Sequence, residues 1–208
     1  MRYLIIFFVF NIIFGCKTSE ISRQNIKSSI HIAEIQKSMR NKGVTDYFIV
    51  EHIQYGLITL VKKGYSKEKV CLPNGTYYSL YVFWSKNESN YIQKLDNCGG
   101  FEPIITNNLN PIEFYKKNSR DIINSKVVQY QTGYDSYSNL THQPLRYFWF
   151  VKQNENFTTD FDTFDLTTDE DEPNLNYVKN NQQPIVKLND ISENLIDLLN
   201  KKKKFIRE

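Results

Sequence analysis

Histidine and cysteine are scarce in this chain, three of each in 208 residues, and their spacing removes most metal chemistry. His31, His52 and His142 lie far apart, none in a two-histidine ligand spacing and none beside a candidate nucleophile. They read as ordinary surface or partly buried residues. There is no glycine-rich phosphate loop, and Ser79, Ser85 and Ser89 sit in no strand-to-helix nucleophile elbow, so neither nucleotide nor serine-hydrolase chemistry has a signature here. No cofactor motif is present. An excess of one charge sign is also missing: 26 basic residues are interspersed among 23 acidic ones for a net +3, which leaves no electrostatic footprint for nucleic acid. Nor is there an apolar run of the roughly 20 residues that a helix needs to cross a membrane.

What the chain does have begins at its start. Arg2 is followed by the apolar stretch Tyr3 to Phe14, then by the small Gly15 and by Cys16. That is the layout of a signal peptide. The residues Ile13-Phe14-Gly15-Cys16 resemble the lipobox of bacterial lipoproteins, in which a branched apolar residue, a tolerant position and a small residue precede the cysteine that is diacylated. The resemblance implies cleavage before Cys16, lipid on Cys16, and a partner in the membrane reached through that lipid. It divides the chain into a signal peptide over 1–15, a lipidated tether over 16–27 and one domain over 28–208. An ordinary secretory signal, or an uncleaved anchor, would equally place the remainder outside the cytoplasm. Four Asn-X-Ser/Thr sequons begin at Asn74, Asn87, Asn139 and Asn156, about as many as chance gives in a chain so rich in asparagine.

With Cys16 assigned to lipid, Cys71 and Cys98 remain, and two cysteines in an oxidising compartment are expected to be bridged. The bridge would close a loop of about 28 residues, for which chain entropy predicts roughly 3 to 4 kcal/mol. The rival reading of Cys98 as a catalytic thiol has no histidine nearby in sequence to support it.

Aromatic residues make up 14% and charged residues 24% of the chain, enough apolar bulk for a sizeable core. Ile32, Ile35 and Met39 recur at helical spacing before Gly43, which predicts a helix over 29–41. Residues 47–60 are β-branched and aromatic, one long or two short strands with a bend at Gly56. Strand 77–85 alternates, with Tyr78, Leu80, Val82 and Trp84 on one face and Tyr77, Ser79, Tyr81 and Phe83 on the other; a polar turn at 86–90 and a return over 91–95 complete a hairpin. Asn110-Pro111-Ile112-Glu113 is a helix start, with the helix running to about 124. A second aromatic hairpin is expected from 145–152 and 157–166, a surface loop over 169–184, and a last helix opened by a capping box of Asp190 and Glu193. The predicted class is therefore α+β, an antiparallel sheet built from two aromatic-rich hairpins with helices packed on it. The hairpins share a loose likeness, Tyr81 to Lys86 against Tyr147 to Lys152, that raises the question of duplication.

Two features remain as candidate sites. Asp160, Asp162, Asp165, Asp169, Glu170, Asp171 and Glu172 form the densest carboxylate cluster, yet Phe164 stands where a calcium loop needs an oxygen ligand and Asp165 where it needs glycine, so no metal site is expected. On strand 77–85 only one face need be buried, which leaves Tyr77, Tyr81 and Phe83 in need of cover from a helix or a partner, a candidate binding surface. Two functions follow from different classes: a non-catalytic envelope protein that binds another envelope protein or acts as a protective accessory, and a hydrolase-like envelope enzyme with one of the three histidines as acid or base. The enzyme requires a histidine within hydrogen-bond reach of a carboxylate, serine or thiol.

Overall fold

A computed structural model describes residues 19–55, 76–106, 110–139, 145–153 and 155–208. The class is α+β. One long strand, β1 (Asp46–Tyr55), organises the sheet, because a hairpin lies on either side of it. On one side β1 pairs antiparallel with β2 (Thr76–Lys86), which turns back into β3 (Ser89–Asp96); on the other it pairs antiparallel with β8 (Leu145–Lys152), which turns back into β9 (Glu155–Asp162). Short strands β4 (Gly99–Gly100) and β5 (Ile104–Thr106) both pair with β3, and β6 (Gln131–Gly133) with β7 (Ser136–Tyr137) forms a separate small hairpin. The β2–β3 turn has Asn87 at φ 49 and Glu88 at φ 61, two consecutive left-handed residues whose twist matches that of the flanking strands.

The alternation read from 77–85 is the alternation of the sheet. Tyr47, Ile49, Tyr78, Leu80, Val82, Trp84 and Val151 are buried beneath helix α1 (Ser19–Asn41) through Ile32, Ile35 and Met39. The opposite face, with Phe48, Val50, Tyr81, Phe83, Ile92, Phe148, Phe150 and Phe161, lies beneath α2 (Pro111–Ile123) and α4 (Pro184–Lys201). Helix α1 stops at Gly43, whose φ of 69 is the left-handed conformation that glycine adopts without penalty, and Val44 N–H donates back to Met39 O at 2.9 Å. Asn110 caps α2 by accepting from Glu113 N–H, with Pro111 in the first turn, as its sequence predicts.

Several expectations are corrected. The helix expected over 29–41 begins earlier, at Ser19, because nothing between Ser19 and Asn41 is a glycine or proline that would break it. Helix α4 begins at Pro184, not at Asp190, so the capping-box reading of Asp190 and Glu193 fails; a proline at the first helical position and buried Ile185, Val186 and Leu188 set the earlier start. The 169–184 segment is not simply a surface loop: it contains α3 (Tyr177–Asn181), and Asn174 and Asn180 are buried. Tyr81 and Phe83 are not a binding surface, being 4% and 1% exposed under this chain's own helices, and only Tyr77 of that trio is half-exposed. The likeness between hairpins does not extend to their faces. Tyr47 pairs with both Trp84 and Val151, so aligning Tyr81 with Tyr147 would put Phe83 and Trp149 on opposite sides of the sheet.

Candidate functional site

A set of polar groups lies on the α2/α4 face, in one row across four strands. The registers Arg146↔His52, His52↔Ser79 and Ser79↔Asp96 place one polar residue from each of β8, β1, β2 and β3 side by side. Polar side chains on an inward face need partners, and α4 brings one. Glu193 Oε1 accepts from Arg146 Nε at 2.9 Å and lies 2.8 Å from His52 Nε2, a close contact in which the ring nitrogen is not aligned for a hydrogen bond. At the other end of the row Asp96, 2% exposed, is held bidentately by Arg207 at 3.1 and 2.8 Å. Asp96 also accepts from Tyr77 Oη at 3.0 Å and from Cys98 N–H at 2.8 Å.

These contacts set the charges. Burial pushes the Glu193 carboxyl up, but His52 and Arg146 outweigh it and hold the group below the usual carboxylate range. The same opposition operates at Asp96, where Arg207, Cys98 N–H and the Tyr77 hydroxyl prevail over burial. Burial pushes Tyr81 up to about 12 and Lys94 down, the latter beside the rings of Tyr81, Phe101 and Phe205. The row and its α4 partner Glu193 therefore carry two ionised carboxylates at neutral pH, Asp96 and Glu193, each with a guanidinium on it.

Of the three histidines, His52 has the carboxylate neighbour that the enzymatic reading requires. His31 lies on the other face of the sheet, with Nδ1 3.0 Å from Tyr78 Oη, so the two are not brought together. His142, Cys16 and Cys71 lie outside the described residues. Ser79, opposite His52, is 3% exposed. Cavities of about 410 Å³, bordered by Tyr130, Phe164 and Asp169, and about 440 Å³, bordered by Arg120, Lys152 and Phe157, do not include any member of the row.

A second buried carboxylate, Glu51, sits under α1 at 3% exposure and accepts from Trp149 Nε1 at 3.3 Å; burial raises it, the hydrogen bonds from Trp149 and Ser28 opposing. The acidic stretch does not converge. Asp162 caps Phe164 N–H, Asp165 accepts from Tyr130 N–H and Asp169 from Asp171 N–H, while Phe161 is buried and Phe164 stacks on Tyr130. Among the described residues no three His, Cys, Asp or Glu side chains are grouped to hold a metal.

Arg146, Asp96, Arg207 and Glu51 carry no sequence motif, and Glu193 reads from sequence only as a capping residue. The available signal was a polar residue on an otherwise apolar strand face, as with His52 after Phe48 and Val50. No family model, no characterised protein and no solved structure matches this chain.

Proposed function

We propose that the protein is a lipid-anchored envelope protein whose domain binds another envelope protein and does no chemistry of its own. The address rests on the lipobox-like residues before Cys16. The observation that supports binding is the distribution of exposed apolar bulk. Among the described residues eight large hydrophobics are exposed, and five of them, Tyr134, Tyr137, Leu175, Tyr177 and Val178, lie on the β6–β7 hairpin and the segment beside it. Leu175 N–H donates to Gln131 O, and the Asn176 amide donates to Gln129 O, so the hairpin and this segment are fastened together. Exposed tyrosines on a fastened backbone are favourable interface groups because they have only two side-chain torsions to order on binding.

Replacing Cys16 with serine is expected to release the protein from membranes after cell breakage; retention would favour an uncleaved anchor. A photocrosslinking residue at position 134 is expected to give one discrete adduct in intact cells, lost when Leu175 and Val178 are both replaced by serine. No adduct from positions 134, 137 and 177 would remove the binding role. The Cys71–Cys98 bridge belongs to the same proposal. Its support is that Cys98 follows the end of β3 by two residues while β2, the partner of β3, begins five residues after Cys71 in sequence; unreduced peptide mapping tests it.

A second reading, an envelope enzyme with His52 as acid or base, is favoured by the His52–Glu193 contact. It requires turnover that His52→Gln abolishes in a protein still folded.

A further inference from the structure

The residues after α4 turn back onto the sheet as a short extended segment. Lys202, Lys203 and Lys204 are exposed, with Lys203 at φ 50, and the chain then docks from Phe205 onward. Glu102 N–H donates to Ile206 O at 2.9 Å and Glu208 N–H to Gly100 O at 3.2 Å, an antiparallel bridge of Arg207 with Phe101. Side chains alternate as they do when a strand is added to a sheet edge. Phe205 packs against Tyr81 and Phe101, with ring centroids 5.9 and 6.2 Å apart, Ile206 points out at 59% exposure, and Arg207 reaches Asp96 with 43% of its side chain still exposed.

The place that receives Arg207 is built for a guanidinium. Its floor is the buried Asp96 carboxylate, which takes two parallel N–H donors and is itself fixed by Tyr77 and Cys98 N–H. Its wall is the Phe101 ring, 4.3 Å from the guanidinium carbon. Its rim is Gly99-Gly100: a Cβ on Gly100 would lie 3.1 Å from Glu208 Oε2, the end of a flexible side chain, and one on Gly99 3.8 Å from Arg207 Nη1. Gly99 has φ 121, a conformation that side-chain-bearing residues rarely adopt.

We propose that this edge is a peptide-binding groove, selective for an extended segment with an aromatic residue two positions before an arginine, and that residues 205–208 are its occupant in cis. A partner strand of that chemistry would take the same two main-chain hydrogen bonds and the same two side-chain pockets, displacing the tail. The tail thereby acts as a gate, since a segment tethered by three exposed lysines competes at an effective concentration on the order of millimolar.

The test uses the full chain and a fluorescent hexapeptide, Lys-Lys-Phe-Ile-Arg-Glu, the sequence of residues 203–208. With Arg207→Ala the cis arginine is gone, and the peptide is expected to bind at least ~10-fold more tightly than to the unsubstituted protein, whose own tail excludes it. Adding Phe101→Ala should weaken that binding by ~10-fold, the loss of one cation–π and packing contact. A peptide with alanine for arginine should show no saturable binding. If Arg207→Ala retains too much of the tail contact, Phe205→Ala/Arg207→Ala opens the groove fully. Equal binding to variant and unsubstituted protein, binding that survives loss of the peptide arginine, or no binding to either variant while both keep the parent circular dichroism, would each overturn the proposal. A tail with a purely structural role would lower the melting temperature on Arg207→Ala and create no peptide site.

Discussion

Glu193 Oε1 meets two nitrogen groups at once, Arg146 Nε at 2.9 Å and His52 Nε2 at 2.8 Å, and so ties α4 to both β8 and β1. Removing the carboxylate leaves the half-buried Arg146 guanidinium without its counter-charge. Glu193→Ala is therefore expected to destabilise by roughly 3 kcal/mol, the low end for breaking a buried pair because the side chains retain some exposure. The pH dependence follows from the direction of the shift. A carboxyl held below its unfolded value contributes stability that is complete above the unfolded value, about 4.3, and is lost as pH falls through the folded one. Urea denaturation from pH 7 down to pH 3 should show a steeper acid limb for the parent than for Glu193→Ala; identical limbs would mean that the pair does not act as described.

Glu51 has the opposite sign. Burial under α1 raises its carboxyl, so the folded state resists ionising it. Its effect on stability is unfavourable at neutral pH and is relieved as pH falls through the raised folded value. Glu51→Gln keeps an oxygen to accept from Trp149 Nε1 and removes the buried charge. A higher melting temperature is expected at pH 7, by about 2–4 °C for each kcal/mol gained in a chain of this size, shrinking towards zero near pH 4. A lower melting temperature at pH 7 would show that the charge itself is needed there.

The parts of this fold legible in the sequence are those set by neighbours in the chain. Asn110-Pro111 marks the start of α2 because capping is local, and the two faces of β2 are visible because alternation is local. The cover over Tyr81 and Phe83 was not, since the helices that supply it lie in distant sequence. Helix α4 was misplaced because Asp190 and Glu193 imitate a start signal, whereas Glu193 is acidic for the sake of Arg146 and His52. The row Arg146, His52, Ser79 and Asp96 needs the register of four strands to be known before any two of its members meet.

Calcium should leave the protein unchanged. In the acidic stretch the carboxylates of Asp162, Asp165 and Asp169 are engaged by backbone N–H groups of three different residues, and no glycine allows the sharp turn that would make them converge. An ion bound to the folded state would raise the melting temperature by mass action. Thermal melts in chelator and in millimolar calcium are expected to coincide. A rise of several degrees that disappears with Asp160→Asn/Asp162→Asn would establish a site.

Asn180 offers the sharpest single-residue test of how the asparagine-rich segment is held. It is 0% exposed, its Oδ1 accepts from Val128 N–H at 2.9 Å, and its Nδ2 donates to Val128 O at 2.6 Å and Asp165 O at 2.8 Å. One side chain thus joins α3 to the strand-like stretch before β6 and to the turn after β9. Asn180→Ala leaves both Val128 backbone groups unpaired, while Asp165 O keeps its bond from the Asn174 amide, and should destabilise by about 3 kcal/mol, given roughly 1 to 3 kcal/mol for each buried group orphaned. Asn180→Asp should be worse at neutral pH although it is closer in shape, because a carboxylate has no proton to give and would face two carbonyl oxygens. That repulsion favours the protonated acid in the folded state, so the folded carboxyl value of the variant lies above the unfolded one and stability returns as pH falls through it. The two variants should therefore exchange rank between pH 7 and pH 4 in urea melts. Hydrogen exchange should show the loss of protection first in 163–178. If Asn180→Asp matches the parent at neutral pH, the amide proton is not what holds the segment.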